Sequence, residues 1–264
     1  MSVSVVKGKR ALVTGASSGL GVDFARELAA RGCHLILVAR RQDQLEAVRK
    51  EVVERHGVEV EVVPMDLSTP DAPQQLYDRI RASGQTVDVL VNNAGFGLFG
   101  RFVEIPWERE RNMLELDIVT LVGLTKLFVR DMASRDFGFV LNVSSIGAFQ
   151  PTPFYAAYSA AKTFVLYFSE ALSYELRKTK VRVCALAPGI TATEFLEVSG
   201  QNATAYQKSL MMTSAEVTRI GVEAMLRGRP SVVPGLMNAL TAWGTRLIPR
   251  RLSAAIAERL MEAR

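Results

Sequence analysis

Tyr158 and Lys162 stand four residues apart, with Ser145 thirteen positions upstream. On one helix, side chains at that spacing share a face and their heads reach a common point. A phenol titrates near ~10 in model peptides. An ammonium alongside favours the phenolate, lowering that value and making the tyrosine an acid or base usable near neutral pH. A serine hydroxyl within reach would hold a substrate oxygen while charge develops on it. Taken alone, Tyr-x-x-x-Lys also fits a surface pair on an ordinary helix. Its meaning depends on the elements that would position it.

Those elements begin near the N-terminus. Arg10-Ala11-Leu12-Val13-Thr14 reads as a buried strand, followed by Gly15-Ala16-Ser17-Ser18-Gly19-Leu20-Gly21 and a helical pattern through Phe24, Ala25, Leu28 and Ala29 to Gly32. Strand, glycine loop and helix let backbone N–H groups approach a pyrophosphate at the positive end of the helix. The spacing is Gly-x-x-x-Gly-x-Gly, not the familiar Gly-x-Gly-x-x-Gly. Gly15-Ala16-Ser17-Ser18-Gly19 also fits a nucleophile elbow, which needs an acid and then a histidine downstream. The histidines, His34 and His56, both come early and suit no such triad. Ser159-x-x-Lys162 matches a penicillin-binding motif, but no Ser-Asp-Asn or Lys-Thr-Gly follows. Both hydrolase readings are poor.

A second strand, His34-Leu35-Ile36-Leu37-Val38-Ala39, ends in Arg40-Arg41. A carboxylate there would bind a ribose 2′-hydroxyl. Ala39 offers none, and Arg40 carries a guanidinium suited to a 2′-phosphate, which favours NADP(H) over NAD(H). An ordinary strand-end arginine is the alternative. Helices are expected over 42–55, 73–82 and 107–132, and strands over 59–63, 87–91 and 139–143. The helix carrying Tyr158 and Lys162 runs to about 178, and a sixth strand over 181–186 ends at Pro188-Gly189. Strands separated by helices imply right-handed crossovers and a parallel sheet covered on both faces. Ligands of such sheets sit beyond the strand carboxyl ends. Asp66, Asn93, Ser145 and Pro188-Gly189 all fall there. With no linker or low-complexity stretch, residues 1–264 read as one domain, with a substrate loop at 193–213 and a helical tail at 236–264.

The net charge of +5 is modest, and its basic residues are interspersed with acidic ones, which argues against nucleic acid as a partner. Cys33 and Cys184 lie in apolar runs and read as buried thiols, not as a disulfide or a metal site. The N-terminus lacks a signal-peptide core and no uncharged apolar run is long enough to span a bilayer, so a cytoplasmic protein is the expectation.

Together these residues resemble the short-chain dehydrogenase/reductase family. The likeness runs to about Thr193 and includes Thr14-Gly15-x-x-x-Gly19-x-Gly21, Asp66-Leu67, Asn92-Asn93-Ala94-Gly95, Ser145, Tyr158-x-x-x-Lys162 and Pro188-Gly189-Ile190-Thr191. The resemblance implies an α/β Rossmann fold, a doubly wound parallel sheet of about seven strands, a nicotinamide cofactor and a homodimer or homotetramer. It assigns Gly15, Ser17, Ser18, Gly19, Leu20 and Gly21 to the pyrophosphate turn, with Arg40 and Arg41 beside it. Asp66 and Leu67 would flank the adenine, with Asn93, Ala94 and Gly95 along the adenosine side. Pro188, Gly189, Thr191 and Thr193 would wrap the nicotinamide end. Tyr158 would protonate a carbonyl oxygen, Lys162 would hold the nicotinamide ribose and lower the Tyr158 pKa, and Ser145 would position the carbonyl.

One position departs from the family. Where it usually carries an asparagine that completes the catalytic set, this chain has Asp117. The main-chain carbonyl that supports a proton relay is retained. The carboxylate, however, would partly neutralise Lys162 and blunt its effect on Tyr158; a purely structural role is the alternative.

Phe96, Gln150, Phe154, Phe195 and Met211 are the candidate substrate-pocket residues, and their apolar character points to an aliphatic, aromatic or steroid-like carbonyl or secondary alcohol. In the tail, Leu236, Leu240, Trp243 and Leu247 recur at helical spacing beside Arg250 and Arg251. This stripe is expected to cap the core or a subunit interface, in preference to docking on a membrane. The functional reading is a reversible NADPH-dependent carbonyl reductase. The competing reading is an NADP(H)-binding sensor or scaffold without turnover, for which Asp117 is the only foothold.

Overall fold

In the computed structural model, which describes residues 5–192, 195–201 and 211–262, seven strands form one sheet in the order β3-β2-β1-β4-β5-β6-β7. They are β1 (Arg10–Thr14), β2 (His34–Ala39), β3 (Val60–Pro64), β4 (Val89–Asn92), β5 (Gly138–Val143), β6 (Val181–Leu186) and β7 (Ser231–Val232). Every pairing is parallel, with Leu12 opposite Ile36 on one side and Leu90 on the other. The chain order reverses between β1 and β4, so a crevice opens beyond their carboxyl ends.

Strand side chains alternate between two buried layers. On one face Val13, Leu35, Val91, Leu141 and Leu186 pack with α1 (Gly19–Ala30), α2 (Gln42–His56) and the helix Ser214–Leu226. On the other face Leu12, Ile36, Leu90, Val140 and Val183 pack with α3 (Ala72–Ala82) and α5 (Leu121–Ser134). Cys33 and Cys184 are free, fully buried thiols, and burial pushes both up to about 12.

The helix expected over 107–132 is interrupted. It consists of α4 (Trp107–Leu114), a π-helical turn at Glu115–Thr120 and α5, and the wide turn carries Asp117 into the interior. The final strand is only two residues long, and Pro234 just beyond it has no N–H to extend the ladder. α6 (Ala156–Glu175) carries Tyr158 and Lys162, α7 is Phe195–Ser199, and α8 is Ser214–Leu226.

The tail forms α9 (Leu236–Gly244) and α10 (Arg250–Glu262). Here the expectation of a core cap fails. Asn238 and Ala242 face inward and are buried, while Leu236, Leu240, Trp243 and Leu247 are all more than half exposed. Two small or polar residues one turn apart make the inner face, so the apolar stripe points away from this chain's core.

A buried polar chain ties the central strands to the helices that flank them. The Asn92 amide donates to Thr125 Oγ1 (2.9 Å) and Asn142 Oδ1 (2.8 Å), and the Asn142 amide donates to Ser169 Oγ (2.9 Å). Such networks are stable only when nearly every member is satisfied. Asn142→Ala is therefore expected to cost about 1–3 kcal/mol through the lost bonds and the space left behind. Urea unfolding followed by far-UV circular dichroism measures this; a loss below ~0.5 kcal/mol, the level of an ordinary surface change, would refute it.

Candidate active site

A cavity of about 590 Å³ runs along the carboxyl ends of the strands. Its floor at one end is the loop after β1, where Gly15, Ser17, Ser18, Gly19 and Leu20 line it. Ser18 caps α1 without a side-chain bond to the helix, so its hydroxyl does not take up the first-turn N–H groups. Gly21, assigned with them, lies outside the lining: it is buried, and a Cβ there would overlap the Gly15 carbonyl. Its role is close packing of α1 under the loop.

Arg40, Arg41, Asp66 and Leu67 line the cavity at the ends of β2 and β3. Arg40 is exposed, and Arg41 Nε donates to Ser17 Oγ at 3.3 Å. Burial works to raise the Asp66 carboxyl. It is outweighed by the Ser68 N–H and hydroxyl bonds (3.0 and 2.7 Å) and by the Arg40 charge, which hold Asp66 below the usual carboxylate range. Asn93 and Ala94 also line the cavity, but the Asn93 amide is used internally, donating to the Thr14 carbonyl at 2.9 Å. Thr14 Oγ1 accepts from the N–H groups of Asn93 and Ala94, both at 3.0 Å. Asn93 thus fastens β4 to β1 and shapes the crevice.

At the other end, Ser145 leaves β5 in an extended conformation and its Oγ accepts from the Gly147 N–H at 3.1 Å. Tyr158 and Lys162 lie one turn apart on α6, and both line the cavity with Ser145. A hydrogen bond links Tyr158 to Ser145. Lys162 is only 5% exposed; its Nζ donates to the Val143 carbonyl at 3.2 Å and lies 5.6 Å from the Tyr158 ring centre.

Asp117 is fully buried. Its Oδ1 accepts from the Phe96 N–H at 3.2 Å, and its Oδ2 meets Lys162 Nζ at 3.0 Å as a charge contact without a directed hydrogen bond. Gly95 makes this possible, since a Cβ there would overlap Asp117 Oδ1. Burial raises the Asp117 pKa, and Lys162 opposes the rise only in part. Tyr158 departs from expectation. Burial first, and the Asp117 charge second, push its phenol above its ordinary value, with the Ser145 hydrogen bond opposing. The Lys162 ammonium, 3.0 Å from the Asp117 carboxyl, is not among the groups that bring the Tyr158 pKa down.

Of the candidate substrate-pocket residues, Phe96, Gln150 and Phe195 line the cavity; Phe195 packs on Tyr158 with ring centres 5.5 Å apart. Phe154 and Met211 do not line it among the described residues. Phe154 adopts a positive φ of 66° and turns its ring onto Phe99, while Met211 precedes the backbone pairing of Met212 with Ile190 and Ala192. Pro188, Gly189 and Thr191 also line the cavity, and Thr193 lies outside the described residues, as does most of the loop at 193–213.

Sequence reasoning did not single out several wall residues, Tyr155, Gln201 and Met261 among them. Tyr155 is buried, and its hydroxyl bonds to Ser199 Oγ (2.9 Å) and Gln201 Oε1 (2.8 Å), joining the start of α6 to the segment after β6. Burial pushes it up to about 12. Gln201 and Met261 complete the wall, with Gln201 Nε2 3.5 Å from Met261 Sδ. No local pattern marks two residues sixty positions apart as neighbours; only Tyr155, beside Tyr158, carried a signal.

The comparisons agree with this geometry. A family model described as short chain dehydrogenase matches residues 9–204. The chain is 32% identical over 244 residues to the very-long-chain 3-oxoacyl-CoA reductase of Bos taurus, covering 89% of this chain and 77% of that protein. Among solved structures, a 7β-hydroxysteroid dehydrogenase superposes with a TM-score of 0.87 at 26% identity, covering 97% of this chain and 99% of the other. A short-chain dehydrogenase from Sphingobium yanoikuyae in complex with NADPH superposes with a TM-score of 0.82 at 29% identity, covering 90% and 94%. With that match extending over most of its length, on a seven-stranded parallel sheet, the chain belongs to the short-chain dehydrogenase family and is an NAD(P)-dependent oxidoreductase.

Proposed function

We propose that this protein catalyses the NADPH-dependent reduction of an apolar ketone or aldehyde, reversible as the oxidation of a secondary alcohol. The observation that carries the reading is the convergence of Ser145, Tyr158 and Lys162 on one cavity whose far end is the glycine loop and Arg40. Two arginines and no carboxylate at the end of β2 suit a 2′-phosphate, and the open N-terminus of α1 suits a pyrophosphate.

When bound, the reduced nicotinamide would supply the hydride. The protein's own residues do the rest. The Ser145 hydroxyl orients the carbonyl oxygen, and the Tyr158 O–H passes its proton to that oxygen as the alcohol forms. Lys162 holds the nicotinamide ribose and fixes α6 against β5 through the Val143 carbonyl. Phe96, Phe195, Val198 and Met261 give the substrate end an apolar wall that excludes water. The similar very-long-chain 3-oxoacyl-CoA reductase and 7β-hydroxysteroid dehydrogenase are named for substrates with a long acyl chain or a steroid skeleton, which supports an apolar group beside the reacting carbonyl here. The homo-oligomer implied by the family resemblance would cover the exposed apolar face of α9.

Arg40→Ala is expected to weaken NADPH binding about 10- to 100-fold, the worth of charge-assisted phosphate bonds, and to leave NADH binding unchanged. Fluorescence titration with each cofactor checks this, and equal weakening of both would remove the phosphate role. Tyr158→Phe is expected to lower turnover about 10²- to 10⁴-fold with NADPH affinity within about twofold of wild type. A panel of apolar ketones followed at the NADPH absorbance decides the matter. Unchanged turnover would sink the mechanism, and no NADPH consumption by the wild type on any member would favour a non-catalytic binder.

A further inference from the structure

We propose that Asp117 is a positioning residue that acts through Lys162 to keep Tyr158 a phenol across the neutral range, which sets the site for proton donation and moves alcohol oxidation to alkaline pH. The assignment deepens the reading of Tyr158 as the proton donor and rests on it.

The geometry carries it. Lys162 Nζ is 3.0 Å from Asp117 Oδ2 and 5.6 Å from the Tyr158 ring centre, with both charged groups shut off from solvent. An ammonium stabilises a nearby phenolate only by its uncompensated field. Here a carboxylate stands closer to the ammonium than the phenol ring does, so the pair presents little net charge to Tyr158. The carboxylate is also held in place from three sides: by the Phe96 N–H, by the missing side chain at Gly95, and by the π-helical turn that carries it inward.

Among the described residues, the groups that act on Tyr158 include no second cation to take over. On its own helix stand Lys162 and, at the preceding cap, Tyr155; from the π turn comes Asp117. The β5 end contributes the Ser145 hydroxyl and α7 the Phe195 ring, neither of which ionises in the working range. Arg109 lines the same cavity from α4, while Arg40, Arg41 and Asp66 line its other end. The direction of the Tyr158 shift, upward by burial and by the Asp117 charge, agrees with the geometry.

The chemistry follows with its sign. In reduction the Tyr158 O–H bond breaks as the substrate O–H bond forms, and the hydride from the reduced nicotinamide forms the new C–H bond. Oxidation needs the reverse, a phenolate that accepts the alcohol proton. A raised phenol pKa keeps the donor form present through neutral pH and delays the acceptor form until pH rises through that pKa. The overall equilibrium is untouched; what moves is the pH at which each direction runs.

The test needs no known substrate. The full-length protein is labelled with ¹³Cζ-tyrosine and titrated by NMR, with Tyr158→Phe used to assign the resonance. Wild-type Tyr158 is expected to stay in the phenol form to about pH 10, the ordinary value for the group. In Asp117→Asn its midpoint is expected to fall by about one to three units, the effect of an adjacent unit charge left unmatched. NADPH affinity of Asp117→Asn within about twofold of wild type shows that the pocket is intact. A wild-type midpoint well below the ordinary phenol range overturns the proposal even if Asp117→Asn does not fold, and an unmoved midpoint in a folded Asp117→Asn overturns it directly. Turnover retained by Tyr158→Phe would instead remove the underlying mechanism, so the two failures are distinguishable.

Discussion

Parallel pairing is the constraint from which the rest follows. Because every strand runs the same way, all the carboxyl ends lie along one edge, and every loop leaving that edge meets its neighbours. Thr14, Asn93 and Ala94 are separated by nearly eighty residues, yet they exchange hydrogen bonds of 2.9–3.0 Å at the point where the strand order reverses. That knot holds the glycine loop open on one side and Gly95 against Asp117 on the other. The cavity exists because these ends cannot close over one another.

Within that frame, a buried pair of opposite charges decides the electrostatics. Placing Lys162 and Asp117 together out of water costs desolvation of both, and such pairs stabilise a fold weakly at best. Their value lies in what they do to the third group. Tyr158 sits against the pair, and its proton is held by burial and by the carboxylate, while the ammonium is fixed by the Val143 carbonyl as well as by Asp117. The π turn is the structural device that brings the carboxylate in, since a regular helix through Glu115–Thr120 would aim position 117 differently.

The apolar end of the cavity is assembled from parts far apart in the chain. Tyr155 joins α6 to Ser199 and Gln201, and Gln201 meets Met261 on the last helix. The tail is therefore a wall of the site, while the outer face of α9 keeps Leu236, Leu240 and Trp243 in solvent. One face of the tail thus lines the cavity while another lies in solvent.

The sequence by itself determined the element order, the parallel sheet, the glycine loop and the placing of Ser145, Tyr158 and Lys162. All of these rest on local spacing: apolar runs broken by helical periods, glycines in a strand-to-helix turn, and two side chains one helical turn apart. It also showed Asp117 as an unusual residue and anticipated its meeting with Lys162. Only the tertiary structure decided the outcome of that meeting, because a pKa depends on burial and on distances between residues forty-five positions apart. The same holds for Gly21 as a packing residue, for Phe154 turned away from the cavity, and for Gln201 and Met261 within it. Direction of a side chain at a loop, and contact between distant segments, are fixed by packing and leave no periodic trace in the chain.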